Sequence, residues 1–483
     1  MYHIINILNH SFYYTLANVL AQSVNFLMLP FYTRMVSVEQ VGIIVILTSL
    51  FGFLNIIFQQ GIGSAAGRFY FTFKRKLERV NYLNSLTSYL LLSGIVLVVL
   101  GVWVSKYLGD WLGIDSTLIA ITIVIAYLSA IINFYQTLLV TKELSKSFLV
   151  SKLWQAGVTV LFIVVSMFFY QASASGKIAG ELMATSIVAL GSLLMLFYHH
   201  SIRPIFNSFS HVLKSISFGL PVQLAGFGWW GMVNIDRFFL NHFVGISSVA
   251  LYSVVYAVAL LLNLFSMGFN QAWSIYYFKN YENEQFRQDN RTIVREYFGW
   301  LSFLALSVWL FSREAIEIMG GALYLGNIRL VPWIILGVFL YGLYFIPSRK
   351  LFVESRTWTL VAITSVGLGV NVLANLFLVP KYGMMGAAYA TAIAYATSLL
   401  TTLVITKSWN WLKDLAIPAL FFGACLVVFY GIYLLADYLG LGINLSVRAL
   451  AWILFLGLAL KFKVINKKVI VGIIGKLNNV QNA

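Results

Sequence analysis

Charged residues and cysteine are both scarce in this sequence, and each scarcity excludes a class of protein. Only 10% of the 483 residues are charged, against 60% that are hydrophobic, whereas about a quarter are charged in ordinary soluble domains. A chain of this composition cannot cover a water-facing surface, so its solvent is a lipid bilayer. The single cysteine, Cys425, excludes an internal disulfide and lies in an apolar run, where a thiol acts as packing.

Long polar segments are also absent. The longest links between apolar runs are Tyr276 to Arg295 and Ala66 to Tyr82, and neither contains a metal-ligand cluster, a phosphate-binding glycine loop or a nucleophile motif. Membrane-bound polymerases and glycosyltransferases usually need an aqueous domain or an acidic catalytic loop. We therefore predict that the protein is not an enzyme and needs no cofactor or metal. The segment Met1 to His10 lacks the basic region and cleavage site of a signal peptide, so we expect the first helix to be retained.

The apolar runs predict an all-α polytopic membrane protein with about fourteen spanning helices. A spanning helix needs roughly 20 mostly apolar residues to cross about 30 Å of hydrocarbon. The predicted spans are 11–33, 41–65, 83–105, 117–140, 151–171, 177–198, 217–241, 249–273, 296–312, 330–348, 358–379, 385–406, 415–436 and 444–461.

The net charge of +16 reflects orientation rather than nucleic-acid binding. Most Lys and Arg residues fall in alternate links, beginning with the link after the second helix, and in the C-terminal tail. By the positive-inside rule, these links and both termini are cytoplasmic, which predicts a multi-pass inner-membrane protein with an even number of spans. The opposite links hold Arg34, Lys106, Lys177, Arg313, Arg329 and Lys381.

A weak internal repeat divides the chain. At an offset of about 208 residues Val41 aligns with Val249 and Asn55 with Asn263, and at about 206 Gly180 aligns with Gly386. Six helices per repeat put both halves in the membrane from the same side, related by a pseudo-twofold axis along the membrane normal. The predicted domains are an N-terminal six-helix lobe at 1–210, a C-terminal six-helix lobe at 211–410, and two appended helices with a basic cytoplasmic tail at 411–483.

Polar side chains recur at helical spacing in four of the predicted spans, which are repeat-equivalent pairs. Such residues are costly in lipid and normally face a bundle interior or a wet cavity. For any single amide, a hydrogen bond between helices is the alternative, worth about 0.6 kcal/mol. Four stripes together favour a central polar cavity. The predicted lining is Asn18, Gln22 and Asn25 in the first helix, Asn55 and Gln59 in the second, Gln223, Trp230 and Asn234 in the seventh, and Asn263 and Asn270 in the eighth.

Charged residues at membrane depth are fewer. Asp236 and Arg237 are adjacent and point about 100° apart on a helix, so we expect each to have another partner. Arg237 could offer its planar fork to a phosphate, and Asp236 could take part in ion coupling; a structural ion pair between helices is the alternative. Arg34 could equally be an interfacial anchor, Arg68 an ordinary positive-inside residue, and Glu181 either a titrating group or a snorkelling carboxylate.

Two stretches carry a resemblance to a known family. The run Asn18-Val-Leu-Ala-Gln22 to Leu29-Pro30-Phe-Tyr-Thr-Arg34, followed by Val41-Gly42, resembles the opening of bacterial polysaccharide transporters. Gly219-Leu-Pro221, with Asp236-Arg237-Phe-Phe-Leu240 further on, is similar to the second-half counterpart in those proteins. These proteins form a branch of the multidrug/oligosaccharidyl-lipid/polysaccharide (MOP) exporter superfamily, and the resemblance is to its Wzx-type O-antigen or capsule-unit flippases.

The resemblance implies a MATE-like fold and a flippase that moves an undecaprenyl-pyrophosphate-linked oligosaccharide from the cytoplasmic to the outer leaflet by alternating access. It implies that the pyrophosphate meets the cavity cations Arg34 and Arg237, with Arg68 at the cytoplasmic mouth, and that H⁺ or Na⁺ drives the cycle through Asp236 or Glu181. Candidate partners are a polysaccharide polymerase and a chain-length regulator. The predicted count of fourteen helices differs from that of many flippases of this branch. It is the same as in the related lipid II flippases.

Two alternatives remain at this point. A multidrug or small-molecule cation antiporter would share the fold, but we would expect acidic residues deep in its first helices, where this sequence has none. A non-transporting assembly partner or a membrane enzyme is the third class.

Overall fold

The computed structural model describes residues 2–199, 201–281, 284–354, 356–410 and 441–461, with 415, 418–420, 422–423, 426 and 431. All regular structure in these residues is helical. The helices are α1 (Tyr2–Met35), α2 (Val38–Gln59), α3 (Ile62–Phe69), α4 (Lys76–Leu112), α5 (Ser116–Thr141), α6 (Ser145–Phe169), α7 (Ala174–Leu194), α8 (Phe209–Phe243), α9 (Ile246–Asn280), α10 (Glu284–Leu310), α11 (Ser312–Gly320), α12 (Val331–Val353), α13 (Thr357–Tyr382), α14 (Met384–Thr406) and α15 (Leu441–Lys461).

Ten of the described helical stretches are long and apolar enough to cross a membrane: α2, α4, α5, α6, α7, α9, α10, α12, α13 and α14. Three more helices, α1, α8 and α15, coincide with predicted spans. Most of the thirteenth predicted span, 415–436, lies outside the described residues, as do Cys425 and the basic tail after Lys461.

One face of α4 shows why these helices need lipid. Leu92, Val96, Val99 and Trp103 recur at helical spacing, and each is 58 to 68% exposed. A contiguous apolar stripe of this kind marks a binding or membrane surface, because it is unfavourable in water. The stripe fits hydrocarbon, as expected for a spanning helix.

The two long links are more helical than the sequence indicated. The predicted link 276–295 is occupied by the end of α9 and the start of α10, and the predicted link 66–82 by the end of α3 and the start of α4. Hydropathy detects only the part of a helix that lies in hydrocarbon, so polar turns beyond it are assigned wrongly to links.

The described chain forms two compact units. The first comprises Met1–Val254, Met319–Gly321 and Thr357–Ala390, and the second comprises Val255–Ile318, Ala322–Arg356 and Thr391–Ala483. Each is assembled from separate stretches of sequence, whereas the predicted lobes are continuous. The division into lobes at residue 210 therefore stays a prediction.

The first unit has its core where α5, α6 and α7 meet. Ile132 of α5, Val158 of α6 and Ala184 of α7 form one buried cluster, and Leu139 of α5 joins Ala17 of α1 in another. Small residues allow α8 and α13 to pack closely, since a Cβ atom on Gly231 would lie 2.5 Å from a methyl group of Leu368. The core thus includes helices that are far apart in sequence.

Two glycines that the repeat aligns have the same structural role. A Cβ atom on Gly180 of α7 would lie 2.5 Å from the carbonyl oxygen of Phe162 in α6, and one on Gly386 of α14 would lie 2.2 Å from that of Leu378 in α13. In each case a glycine near the start of a helix lets it approach the backbone of the preceding helix. This correspondence supports the internal repeat.

The second unit includes α15, which packs on α10. Phe303 and Leu310 of α10 form a buried cluster with Phe455 of α15. The Trp452 indole donates a 2.7 Å hydrogen bond to Ser307, and the fully buried Arg448 donates to the Leu310 carbonyl (3.2 Å). Arg448 also lies 3.3 Å from the Glu314 carboxylate. These contacts hold the last described helix of the chain to α10 and α11.

Candidate functional site

The amides of α2 meet an amide of α5 within the first unit. Asn55 Oδ1 accepts hydrogen bonds from Asn133 Nδ2 (3.3 Å) and from Gln59 Nε2, one turn further along α2. All three side chains are partly buried. The predicted pair Asn55 and Gln59 is therefore extended by Asn133, whose isolated position in α5 gives no stripe for sequence reasoning to find.

The polar stripe of α8 faces α2. The Trp230 indole donates to the Ser49 carbonyl (3.2 Å), and the Ser49 hydroxyl donates to Asn234 Oδ1 (3.5 Å). Phe53 lies 5.2 Å from the Trp230 ring, between centroids. The indole approaches Gly52, where a Cβ atom would lie 2.8 Å from its nitrogen. These residues and the α2–α5 amides form the amide wall, defined as Ser49, Asn55, Gln59, Asn133, Trp230 and Asn234.

The other predicted lining residues are distributed differently. Gln223 is partly buried on α8, and Asn18 is exposed on α1. Gln22 and Asn25 belong to α1, but their side chains lie outside the described residues. Asn263 and Asn270 lie in the second unit, where Asn263 is 3.6 Å from Met267 Sδ and Asn270 accepts from Arg349.

Asp236 and Arg237 pair with each other, which the angle between adjacent side chains did not predict, and each also has a further partner. Arg237 Nη1 lies 2.9 Å from Asp236 Oδ1, and the two residues are 6% and 1% exposed. The same nitrogen donates to the Val233 carbonyl, one turn earlier. The long arginine side chain folds back along its own helix, which overcomes the angle between adjacent Cβ atoms. Tyr252 also interacts with the carboxylate.

The remaining charged candidates lie elsewhere. Arg34 is exposed and donates to the Pro30 carbonyl (3.0 Å) at the end of α1. Arg68 is exposed on α3, with its guanidinium 5.0 Å from the centre of the Phe218 ring. Glu181 of α7 forms an ion pair with Lys177, one turn earlier, and the lysine is only 5% exposed. Sequence reasoning placed Lys177 in an outer link and so missed this pair.

A second buried cation was also missed. Arg349 is 8% exposed near the end of α12, although the sequence placed it in a cytoplasmic link. The signal was weak because Ser348-Arg349-Lys350 follows the apolar run directly and reads as its polar boundary. In the part of the chain that the structure describes, no group of three or more His, Cys, Asp or Glu residues is placed to hold a metal ion.

The amide wall offers chemistry suited to polar, uncharged groups. Its amides both donate and accept hydrogen bonds, and its aromatic rings provide flat apolar surface. Both features suit sugars better than they suit a compact cation. The wall contains no carboxylate, and the only carboxylate described on α8, that of Asp236, is already paired.

The family model described as "Polysaccharide biosynthesis protein" matches residues 7–274 of the chain. This stretch covers more than half of the 483 residues and contains α1 to α8 with most of α9. The chain belongs to the polysaccharide biosynthesis protein family. The resemblance inferred from the motifs around Asn18–Arg34 and Gly219–Leu240 is thereby confirmed.

The chain is similar to a protein of Shigella flexneri that carries the name "Putative O-antigen transporter". It is 23% identical over 244 residues, which make up 49% of this chain and 56% of the relative. The match therefore spans only about half the length of that protein.

Solved structures establish the fold of this polysaccharide biosynthesis protein. A lipid II flippase MurJ in an inward closed conformation matches with a TM-score of 0.69 and 18% identity, over 92% of this chain and 99% of that one. A MATE transporter in complex with MaL6 matches with a TM-score of 0.60 and 11% identity, over 85% and 96%. The predicted all-α, MATE-like polytopic fold is confirmed, and the protein is a multi-pass membrane protein with the fold of MOP-superfamily transporters.

Proposed function

We propose that the protein is a flippase that moves an undecaprenyl-pyrophosphate-linked oligosaccharide repeat unit from the cytoplasmic to the outer leaflet by alternating access. The lipid carries the diphosphate along the membrane, and the protein gives the sugars a polar route through the hydrocarbon.

One observation carries this proposal. The chain matches a polysaccharide biosynthesis family across residues 7–274 while sharing 92% of its length with the fold of a lipid II flippase. The amide wall adds support, since its donors, acceptors and rings suit sugar hydroxyl groups. The six residues of the wall include no carboxylate, and Asp236 of α8 is paired with Arg237, which favours this substrate over the organic cations of a multidrug antiporter.

The charge pattern supports a proposal for the protein's place in the cell. We propose that it resides in the bacterial inner membrane with both termini in the cytoplasm, because Lys and Arg concentrate in alternate links. A polysaccharide polymerase and a chain-length regulator would then act on the product at the outer face.

Ion coupling completes the proposal. H⁺ or Na⁺ would drive the return step, and the candidate carboxylates are Asp236 and Glu181. Each is paired with a cation of its own helix, Arg237 and Lys177 respectively. Protonation of either carboxylate would release its cation, which gives a physical route from ion binding to conformational change.

The test is the leaflet distribution of the lipid-linked oligosaccharide in a strain depleted of the protein. We expect the oligosaccharide in spheroplasts of that strain to be protected from an impermeant glycan-oxidising reagent, and to become accessible when the gene is restored. An unchanged distribution, with a soluble drug or metabolite accumulating instead, would contradict the flippase and favour the multidrug antiporter.

A further inference from the structure

The buried cation Arg349 has a setting unlike that of Arg237. It lies near the end of α12 in the second unit and is 8% exposed. Arg237 has a carboxylate 2.9 Å away. For Arg349, no carboxylate among the described residues lies within ion-pair distance. The nearby Glu354 pairs instead with Lys350 (3.9 Å) and Arg356 (3.5 Å).

Neutral groups surround the Arg349 guanidinium instead. Its Nε donates to Asn270 Oδ1 (3.0 Å), and Nη2 donates to the same oxygen. The group lies 5.1 Å from the centre of the Phe352 ring, and Tyr277 and Tyr344 are close enough to interact electrostatically. One amide oxygen uses two of the five guanidinium donors and neutralises no charge. A buried charge without a counter-ion is costly, so the site favours an incoming anion.

A cavity of about 110 Å³ lies beside this cluster and is lined within the same unit by Tyr277, Asn290, Arg291, Lys350 and Ser408, among others. Among the described residues its lining includes two cations, Arg291 and Lys350. At that volume the cavity has room for a phosphoryl group. Tyr277 joins the two features, because it lines the cavity and interacts with Arg349.

We propose that Arg349 is the buried anion-binding residue of a phosphoryl site in the second unit, with Arg291 and Lys350 at the cavity and Asn270 orienting the guanidinium. The ligand chemistry is a phosphate or diphosphate ester, which a guanidinium binds through paired charge-assisted hydrogen bonds. This inference rests on the proposed function. On the topology proposed above, the site lies on the cytoplasmic side, where it would receive the diphosphate of the lipid carrier before the sugars cross.

The test is binding of undecaprenyl diphosphate to the purified full-length protein in nanodiscs of phosphatidylcholine. We expect Arg349→Met to weaken binding by about tenfold or more, because charge-assisted bonds are lost, and Arg349→Lys to weaken it less. Arg356→Ala is the matched control, since it removes an exposed arginine just beyond the same helix. This control should bind like the wild type.

Thermal stability separates binding from a structural role. Without ligand, Arg349→Met should melt at or above the wild-type temperature. Methionine removes the uncompensated buried charge and replaces the arginine with an apolar side chain of similar length. A lower melting temperature or failure to fold would overturn the proposal, as would wild-type affinity in Arg349→Met or Arg349→Lys binding no better than Arg349→Met.

The source of the phosphate is resolved by two further probes. If inorganic diphosphate displaces undecaprenyl diphosphate from the wild type and not from Arg349→Met, that result supports the site and shows that the phosphoryl group alone determines binding. Binding of phosphatidylglycerol with the same dependence supports it with a phospholipid headgroup as the ligand. None of these measurements requires transport, so a normal leaflet distribution with unaltered binding in Arg349→Met would sink this site and leave the flippase standing.

Discussion

Arg237→Ala is expected to reduce the stability of the folded protein sharply, because it leaves the Asp236 carboxylate buried without its cation. The pair is only 6% and 1% exposed, with 2.9 Å between nitrogen and oxygen. Removing one member of a buried ion pair costs about 3 to 5 kcal/mol, a large part of the stability of most proteins. The measurement is the melting temperature in detergent, together with the amount of protein in the membrane.

The double variant Asp236→Asn with Arg237→Gln is the control for charge. It replaces both ions with neutral groups of similar size, so it should recover most of the stability lost in Arg237→Ala. A melting temperature of Arg237→Ala equal to that of the wild type would contradict the structural role of the pair. Transport by a stable double variant then decides between a functional and a structural role for the pair. Loss of transport supports phosphate binding or ion coupling, and retained transport supports a purely structural ion pair.

Gly219→Ala and Gly61→Ala are expected to prevent normal packing of α3 against α8. A Cβ atom on Gly219 would lie 2.3 Å from the Gly61 carbonyl oxygen, and one on Gly61 would lie 2.3 Å from the Gly219 carbonyl carbon. Backbone atoms cannot move aside as a side-chain tip can, so the cost should reach or exceed about 1 to 3 kcal/mol. Gly61 also has φ of +72°, which adds about 1 to 2 kcal/mol for alanine.

Gly157→Ala in α6 is the matched control for these substitutions, since a Cβ atom there would have no neighbour within 4 Å. It should be neutral or slightly stabilising, because alanine favours helix by about 1 kcal/mol over glycine. Size-exclusion profiles and melting temperatures of the three variants provide the comparison. Wild-type behaviour of Gly219→Ala would show that α3 and α8 do not approach as closely as the structure has them.

The helical elements could be predicted because hydropathy and length define a spanning helix without reference to its neighbours. The family motif could also be recognised from its residues. The structure explains one of them, because Gly219 in Gly219-Leu-Pro221 is where the backbone of α8 approaches the backbone at Gly61. Helical periodicity placed Trp230 and Asn234 on one face of α8. It could not show that this face meets Ser49 of α2, because periodicity defines a face but not its partner.

The contacts of charged residues that the sequence did not predict have a common physical cause. Long cationic side chains reach well beyond the position of their own Cα atom, so spacing alone does not predict their partners. Arg237 folds back onto the adjacent carboxylate, and Lys177 pairs with Glu181 where the sequence suggested an ordinary link residue. Arg349 is only 8% exposed although it directly follows its apolar run, where the sequence suggested a link residue.

The discontinuous composition of the first unit constrains how the chain is made. Helix α13 belongs to this unit and packs on α8, where Gly228 and Gly231 leave room for Thr364 and Leu368. A ribosome must therefore deliver the polypeptide as far as Ala390 before the unit has all its parts. Until then the glycine face of α8 has no partner helix, and the nascent protein depends on lipid or the insertion machinery to shield it during biogenesis.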